Sequence, residues 1–407
     1  MSEWKSLSSI TSKIGSGSTP RGGNSVYSDS GISFIRSQNV LDMDFSTENL
    51  AFINDEQAEK LNNVIVEKND ILLNITGDSI ARCTVVPEEI LPARVNQHVS
   101  IIRCKNTEES KYVMYYLQYM KKYLLQISKV GGTRNALTKE AIGKLPIKIS
   151  DDCNKISKIL DNIDQKIQTN NQINQELEAM AKALYDYWFV QFDFPDQNGK
   201  PYKSSGGKMV YNPELKREIP EGWGVEKLGD ITICHDSKRV PLSSNDRELV
   251  KGKIPYYGAT GIMDYVNDYI FDGDYVLMAE DGSVMTETGT PILQRISGKN
   301  WVNNHAHVLE PVKNHSCKLL MMLLKDVSVM KIKTGSIQMK INQENMNKIV
   351  VPAIPLELLF EINQKLEVID KQQLNLIEEN KQLTQLRDWL LPMLMNGQVK
   401  VEWGKEA

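Results

Sequence analysis

The sequence lacks the signatures of membrane and exported proteins. No run of about 18 consecutive apolar residues occurs, which excludes a membrane-spanning helix. The start of the chain contains no basic segment followed by an apolar one, so we expect no export signal. These absences predict a cytoplasmic protein.

Cysteine is scarce, and its spacing fits neither a disulfide framework nor a zinc site. The five cysteines are scattered along the chain, at Cys83, Cys104, Cys153, Cys234 and Cys317. Zinc sites and disulfide-rich domains both use closely spaced cysteines in recurrent patterns. We therefore expect buried, free thiols.

The sequence also lacks the motifs of common catalytic centres. It contains no Asp/Asn-Pro-Pro-aromatic motif for methylating an amino group of a base, no Walker A motif, no His-Glu-x-x-His and no Gly-x-Ser-x-Gly. The glycine-rich residues 15–23 lack the closing Gly-Lys-Ser/Thr of a phosphate-binding loop, although their backbone N–H groups could contact a DNA phosphate. We expect that this chain carries no catalytic residue.

Charge is distributed unevenly, although the formal net charge is only -4. Residues 119–149 include seven basic residues and one acidic residue, and residues 318–349 include six basic and two acidic residues. Acidic residues gather instead within residues 357–379. Two basic segments in matching places favour contact with a polyanion, and two solvated faces are the alternative.

Two stretches carry apolar residues at alternating steps of four and three, which places them on one seam of a continuous helix. The first set is Ile156, Leu160, Ile163, Ile167, Leu177, Ala181, Leu184 and Trp188. The second set is Ile362, Leu366, Ile369, Leu376, Leu383 and Leu390. Asn170 and Asn174 interrupt the first seam, and we expect Pro392 to end the second helix.

Both stripes are longer than a core helix of about a dozen residues. Residues 151–189 contain no proline or glycine, so one helix could extend over roughly 50 Å. We predict that the two helices pack against each other. The alternative is that each stripe packs only on its own domain.

The sequence contains two copies of one unit, and each copy consists of a globular segment followed by a long helix. The matching segments are 4–7 with 223–228, 70–74 with 274–278, 95–98 with 302–305, and 137–142 with 341–346. In the first copy we expect Thr138 to cap a short helix. The loops between these segments differ, which favours two different recognition surfaces on one scaffold.

One pair of histidines raises the question of a metal site. His305 and His307 are two residues apart, a spacing that places both imidazoles on one face of a strand. His98, in the equivalent turn of the first copy, has no such neighbour. We therefore favour a histidine that stabilises the turn and predict no metal ligand.

The junction between the two copies resembles the specificity subunit of Type I restriction-modification enzymes. The residues that carry the resemblance are 187–195, 206–210, 219–223 and 228–231, together with 17–20, 96–98 and Leu391-Pro392. The resemblance implies an α+β fold of pseudo-two-fold symmetry, with two tandem α/β target recognition domains separated by two long antiparallel helices that form a coiled coil. The implied bounds are 1–150 and 193–354 for the domains, 151–192 for the central helix, and 355–407 for the second helix and tail.

The same resemblance implies the partners of the chain. They are double-stranded DNA, two methyltransferase subunits that methylate adenine, and restriction subunits that act as an ATP-dependent translocase and nuclease. S-adenosylmethionine, ATP and Mg²⁺ are expected on those partner subunits and no cofactor on this chain. The alternatives are a stand-alone DNA-binding protein of the same architecture and an enzyme whose catalytic site is assembled from polar loops.

We select candidate DNA contacts from the polar and basic residues of the divergent loops, because phosphates attract cations and base edges accept hydrogen bonds from such side chains. In the first domain they are Ser18, Thr19, Arg21, Arg36, Thr76, Thr133 and Arg134. In the second domain they are Lys238, Arg239, Tyr256, Tyr257, Lys333, Ser336, Gln338 and Lys340. Asn174 and Asn380, which occupy matching places in the two helices, are expected to lie close together and set the helix register.

An insertion tests whether the helices set the distance between half-sites. Four residues added to the first helix lengthen it by about 6 Å, and we expect the gap between the two recognised half-sites to increase. Sequencing of methylated DNA measures that gap. An unchanged methylation footprint would show that helix length does not determine the spacing.

Overall fold

The computed structural model describes residues 3–20, 26–129, 135–335 and 339–401, and the chain forms two compact units. The first unit comprises Met1–Asn170 with Glu378–Ala407, and the second comprises Asn171–Ile377. Each unit therefore combines one globular domain with a part of each long helix. Among the described residues, no helix has the length and apolar composition needed to cross a membrane.

The first unit contains short strands and helices followed by a long helix. Its strands are β1 (Glu3–Ser6), β2 (Thr11–Ser16), β3 (Ile32–Ile35), β4 (Ala51–Ile53), β5 (Ile65–Val66), β6 (Ile71–Asn74), β7 (Cys83–Val85), β8 (Ala93–Val95), β9 (Val99–Cys104) and β10 (Pro146–Ile149). Its helices are α1 (Leu7–Ile10), α2 (Asp55–Glu59), α3 (Ser110–Tyr119), α4 (Lys121–Ile127), α5 (Lys139–Gly143) and the first part of α6 (Cys153–Tyr185). Short 3-10 helices cover Asn62–Val64, Glu88–Ile90 and Thr107–Glu109.

The strands of the first domain form a pair, β1 with β10, and two four-stranded sheets of order β2-β9-β6-β7 and β4-β3-β8-β5. Neighbouring strands are antiparallel except β3 and β8, which run parallel. The sheet that contains β6 is covered on both faces. Leu72 and Ile101 pack towards the other sheet, whereas Leu73 and Ile102 pack towards α3. Burial on both faces explains why β6 is apolar without alternation.

The second unit has its own strands and helices. Its strands are β11 (Met209–Asn212), β12 (Arg217–Pro220), β13 (Gly224–Lys227), β14 (Thr232–Cys234), β15 (Lys251–Tyr257), β16 (Ile262–Val266), β17 (Phe271–Asp272), β18 (Tyr275–Ala279), β19 (Leu293–Ile296), β20 (Lys299–Val302), β21 (Ala306–Pro311) and β22 (Val350–Ala353). Its helices are α7 (Leu228–Ile231), α8 (Ser244–Leu249), α9 (Cys317–Leu324), α10 (Gln343–Asn347) and the first part of α11 (Leu356–Asn396). A π-helical turn, Asp186–Val190, follows α6, and 3-10 helices cover Asp236–Lys238 and Val329–Lys331.

The strand order of the second domain repeats that of the first. β13 pairs with β22, and the two four-stranded sheets have the orders β14-β21-β18-β19 and β16-β15-β20-β17. The parallel pair recurs as β15 with β20. The hairpin of β11 and β12 is additional. The duplication that the sequence predicts is thus a duplication of sheet topology.

The aromatic junction after α6 packs inside the second unit. Phe194 stacks on Tyr202 and on Trp223, with ring centroids 4.8 and 5.3 Å apart. Phe189 is fully buried in the same core cluster. Stacked aromatic pairs contribute both apolar burial and orientation, so this junction fixes where the chain enters the second domain.

In the first unit, the beginning of α6 packs against the end of α11. Arg387 donates to Asp164 at 2.8 Å, and the Asn170 amide donates to the Asn380 carbonyl oxygen at 2.8 Å. Residue numbers rise along one helix as they fall along the other, so the two segments are antiparallel. Asn170 is fully buried and is bonded across the helix pair, as polar seam residues that set register are.

The prediction that Pro392 ends the second helix is wrong. α11 continues through Pro392 to Asn396. Leu391, Leu394 and Met395 are buried in the core cluster of the first domain. That apolar packing offsets the free-energy cost of the backbone hydrogen bond that Pro392 cannot donate.

In the second unit, the end of α6 packs against the beginning of α11. The Gln373 amide donates to the Asn174 backbone carbonyl at 3.1 Å and to Glu178 at 3.2 Å. Leu177 and Leu366 lie in one core cluster with the second domain. The predicted helix pair is confirmed in each unit, and each stripe also packs on a domain. Asn174 and Asn380 belong to different units, so their proximity stays a prediction.

Truncation of Leu366 tests how much the helix seam stabilises the second unit. It is fully buried, whereas Val368 on the same helix is 65% exposed. We expect Leu366→Ala to lower the free energy of unfolding by about 2–5 kcal/mol and Val368→Ala by less than about 0.5 kcal/mol. Chemical denaturation measures both, and equal losses would contradict the described seam.

Candidate nucleic-acid interface

In the first unit, backbone hydrogen bonds gather three segments that are distant in sequence. The Ile75 N–H donates to the His98 carbonyl at 2.9 Å, and the Leu137 N–H donates to the Ile75 carbonyl at 2.9 Å. Within the turn between β8 and β9, the Asn96 side chain accepts from the His98 N–H at 3.0 Å. Thr138 caps α5 by accepting from Ala141, as predicted. We call the group of the β6 end, this turn and the segment before α5 the first edge.

A chain of side-chain hydrogen bonds runs along the first edge. The Thr19 hydroxyl donates to the Gln97 carbonyl oxygen. The Gln97 amide lies 3.1 Å from His98 Nε2, and His98 Nδ1 lies 2.6 Å from the Thr76 hydroxyl. An amide nitrogen only donates, so with the Gln97 amide in this orientation His98 Nε2 accepts and the proton of the neutral imidazole lies on Nδ1. The exposed Gln97 amide is therefore held in one orientation and keeps donor and acceptor capacity for a ligand.

Gly17 permits the loop that carries Thr19 to approach this turn. A Cβ at Gly17 would lie 1.7 Å from the Val95 carbonyl oxygen, whereas a Cβ at Gly15 would meet nothing within 4 Å. The Gly17 N–H donates to the Asn96 carbonyl at 3.1 Å. A side chain at position 17 would push the loop away from the turn.

The second unit repeats the backbone arrangement. The Glu280 N–H donates to the His305 carbonyl at 2.8 Å, and the Ile341 N–H donates to the Glu280 carbonyl at 2.8 Å. The Asn303 side chain accepts from the His305 N–H at 2.8 Å. These residues stand where Ile75, Leu137, Asn96 and His98 stand in the first unit. We call the group of the β18 end, the turn between β20 and β21 and the segment before α10 the second edge.

The side chains of the second edge are charged where those of the first edge are neutral. Glu280 accepts from Arg239 at 2.6 Å and from Lys340 at 2.9 Å. Burial acts to raise the pKa of the Glu280 carboxyl, but the hydrogen bonds from Lys340 and Arg239 outweigh it and hold that pKa below its ordinary value. His305 Nδ1 lies 2.5 Å from Asp281. The two edges thus share a backbone and differ in chemistry.

A buried histidine supports the second edge. His307 Nδ1 lies 2.5 Å from Asp236, and its Nε2 lies 2.8 Å from the Ile341 carbonyl oxygen. Cys234, Asp236 and His307 offer ligand-type atoms within 4.8 Å of one another. However, Arg239 contacts Asp236 at 3.2 Å and supplies the positive charge that a metal ion would bring. The arrangement fits an ion-paired network that ties β21 to the segment before α10.

The candidate DNA contacts of the first domain differ in their exposure to solvent and in their hydrogen bonds. Ser18 and Thr19 are exposed, and Thr76 is half-buried beside His98. Arg36 is half-buried, donates to the Asn49 carbonyl at 2.5 Å and lies over the Tyr27 ring. Arg21, Thr133 and Arg134 lie outside the described residues.

The candidates of the second domain fall into two groups. Lys238 and Lys340 are exposed, and Tyr257 and Lys333 are half-buried. Arg239 and Tyr256 are engaged inside the domain, because Arg239 is bonded to Asp236 and Glu280 and the Tyr256 hydroxyl accepts from the Leu242 N–H at 2.9 Å. Their predicted contact with DNA stays untested. Ser336 and Gln338 lie outside the described residues.

The residues that hold each edge together are not among the predicted DNA contacts. Gln97, His98, Glu280 and Asp281 take part in the hydrogen bonds described above. The Asn-x-His pattern was visible in both copies, but its bonding partners come from segments more than 20 residues away. Spacing alone does not identify such partners.

A family model described as the Type I restriction modification DNA specificity domain matches residues 1–179 and 220–385. A putative type I restriction enzyme specificity subunit of Haemophilus influenzae is 32% identical over 163 residues, which cover 40% of this chain and 41% of that protein. The chain thus matches about two fifths of the length of this relative. The Type I restriction enzyme MjaIX specificity subunit of Methanocaldococcus jannaschii is 26% identical over 343 residues, which cover 76% of this chain and 74% of that protein.

The fold is similar to that of a solved structure. The crystal structure of a Type-I restriction-modification system S subunit from M. genitalium superposes with a TM-score of 0.53. The two chains are 14% identical, and the alignment covers 97% of this chain and 96% of the other. At this identity the likeness concerns the fold.

Two glycine substitutions test the close approach of the first edge. We expect Gly17→Ala to lower the melting temperature measurably, because the added methyl group must displace backbone atoms of Val95. Gly15→Ala is the matched control on the same segment and should leave the melting temperature nearly unchanged. Equal melting temperatures for the two variants would contradict the described loop.

Proposed function

The chain belongs to the family of Type I restriction-modification specificity subunits, and we propose that each of its domains binds one half of a bipartite DNA target. The observation that carries this proposal is the repeated edge. Two domains with the same sheet order and the same edge backbone present different side chains. A common scaffold with different polar groups suits two recognition tasks of one kind.

The chemistry of the two edges supports an asymmetric target. The first edge presents the amide of Gln97 and the hydroxyls of Thr19 and Thr76, whereas the second presents the half-buried carboxylate of Asp281 and the ammonium group of Lys340. Amides pair with adenine, cations with guanine, and carboxylates with the amino group of cytosine. Domains that differ in this way favour different bases, so the two half-sites are different sequences.

Exposed cations supply the affinity that does not depend on sequence. Lys122, Lys129 and Lys139 are exposed in the first domain, and Lys238 and Lys340 are exposed in the second. Contacts between lysine and phosphate release counterions from DNA, which makes the affinity strongly dependent on salt. Such contacts place the domain, and the edges then select the bases.

The two long helices act as the spacer between the half-sites. α6 has 33 residues and α11 has 41 residues, and a helix of 33 residues is about 50 Å long. A rigid element of several tens of ångströms suits half-sites about one DNA turn apart, on the order of 34 Å. The apolar seams and the buried Asn170 support a pairing of fixed register.

Catalysis belongs to the partners in this proposal. The chain recruits two methyltransferase subunits that bind S-adenosylmethionine and methylate adenine, and restriction subunits that hydrolyse ATP with Mg²⁺. The absence of a methyltransferase or Walker A motif from the sequence supports this division. The chain itself then functions in binding and not in chemistry.

Sequencing of methylated adenines tests the proposed function. The purified chain, its co-purified complex with a methyltransferase subunit, and the methyltransferase subunit alone are each incubated with random-sequence DNA and S-adenosylmethionine. We expect methylation only from the complex, at adenines in two unlike half-sites separated by a constant gap.

Three outcomes contradict the proposal in different ways. Methylation by the chain alone would identify an enzyme. A single contiguous or palindromic site would exclude two different reading domains. Tight DNA binding without stable association with a methyltransferase subunit would favour a stand-alone DNA-binding protein.

A further inference from the structure

We infer that Asp164 and Asp370 are positioning residues that hold each recognition domain in a fixed orientation on the long helices of its own unit. This inference rests on the proposed function, because a spacer defines a gap only if the domains cannot turn on it. Both carboxylates lie on long helices and are largely shielded from solvent, with side chains 11% and 13% exposed. Both accept hydrogen bonds from residues of another element.

In the first unit, Asp164 joins three elements. It lies on α6, and one carboxylate oxygen accepts from the Tyr115 hydroxyl of α3 at 2.6 Å. The other oxygen accepts from Arg387 of α11 at 2.8 Å. One side chain therefore links the domain to both helices of the unit.

An ionised carboxylate accepts from both partners of Asp164 at once, one on each oxygen. The Arg387 guanidinium has donors only, whereas the Tyr115 hydroxyl donates here and can also accept. Burial raises the pKa of the Asp164 carboxyl, although the hydrogen bonds from Tyr115 and Arg387 act in the opposite direction. An asparagine of the same size keeps one acceptor oxygen but carries no negative charge, and its NH₂ group can only donate a hydrogen bond, which the Tyr115 hydroxyl can accept. Asp164→Asn therefore removes the charge-assisted bond to Arg387 with little change in volume.

In the second unit, Asp370 occupies the matching place of the duplicated sequence, since Ile369-Asp370 corresponds to Ile163-Asp164. It accepts from Arg295 Nε at 3.1 Å and from Arg295 Nη2 at 3.0 Å. Arg295 lies on β19, at the edge of the sheet that also contains β18, and it pairs with Asp274 at 2.9 Å. The two copies use different donors from the domain at one position of the helix. What they share is the link between helix and domain.

The physical role of such a link is to fix the orientation of the domain on its helices. The apolar contacts between each domain and its helices are strong but non-directional, so they resist separation more than rotation or sliding. Charge-assisted hydrogen bonds have narrow geometry. A buried ion pair adds little net stability relative to an apolar pair, although removal of one partner leaves a buried charge unpaired and costs stability. We therefore expect loss of the link to relax the orientation of the domain and to lower its stability, and the two effects are measured separately.

The experiment measures how strictly the gap is selected. The full chain in complex with its methyltransferase subunit is offered DNA that contains both half-sites with the wild-type gap, or with that gap shortened or lengthened by one base pair. We expect Asp370→Asn to raise the ratio of methylation at altered gaps to methylation at the wild-type gap by about tenfold, because it removes the carboxylate charge that makes the hydrogen bonds from Arg295 strong. Glu367→Gln, an exposed carboxylate on the same helix, is the matched control and should leave the ratio unchanged.

Further variants separate positioning from folding. Tyr115→Phe removes only the phenol from the first link, and Arg295→Lys keeps the charge of the second link but loses its paired donors. Both should raise the ratio less than the corresponding asparagine variants do. If Asp164→Asn or Asp370→Asn fails to fold by circular dichroism, these milder variants decide the question.

The outcomes distinguish the inference from the proposed function. A wild-type complex that methylates all gaps equally would contradict the proposed spacer itself. A wild-type complex that selects its gap, together with link variants that lose activity equally at every gap, would overturn the positioning role.

Discussion

The apolar seams of two long helices constrain the rest of the structure. Neither seam can remain in water, and neither is covered by one domain alone. In the first unit, Leu160 and Leu394 join the core of the first domain, and in the second unit Leu177 and Leu366 join the core of the second. Each domain therefore folds onto the beginning of one helix and the end of the other. The pairing of the helices and the packing of each helix on two domains both follow from this packing requirement.

On this scaffold, the two edges share their backbone arrangement and differ in their side chains. Their backbone bonds are the same, from the β strand to the Asn-x-His turn and on to the following short helix. Their side chains are not, since Asp281 and Asn304 of the second edge occupy the positions that Thr76 and Gln97 occupy in the first edge. His307 belongs to a buried ion-paired network with Asp236 and Arg239. The first domain has the uncharged Ser100 at the position on β9 that matches His307. Differences of this kind between side chains are what the proposed function requires of one fold that binds two unlike half-sites.

Sequence patterns predicted the features that depend on local spacing. The helix seams, the repeated strands and the Thr138 cap all follow from periodicity or from a capping position. The end of the second helix was wrongly predicted, because packing of Leu391 and its neighbours outweighs the effect of Pro392. Arg239 and Tyr256 are bound inside their domain by partners that spacing does not reveal. Local rules identify elements, whereas the partners of a polar side chain depend on tertiary structure.

The central claim is that the two edges contact different halves of one DNA target. Photocrosslinking tests it most directly, with a photoreactive amino acid placed at exposed Gln97 in one variant and at exposed Asn304 in another. Each variant is irradiated in complex with the methyltransferase subunit and the identified target. The account predicts that the first variant crosslinks only to one half-site and the second only to the other. Crosslinks from both positions to the same half-site, or to neither, would contradict it.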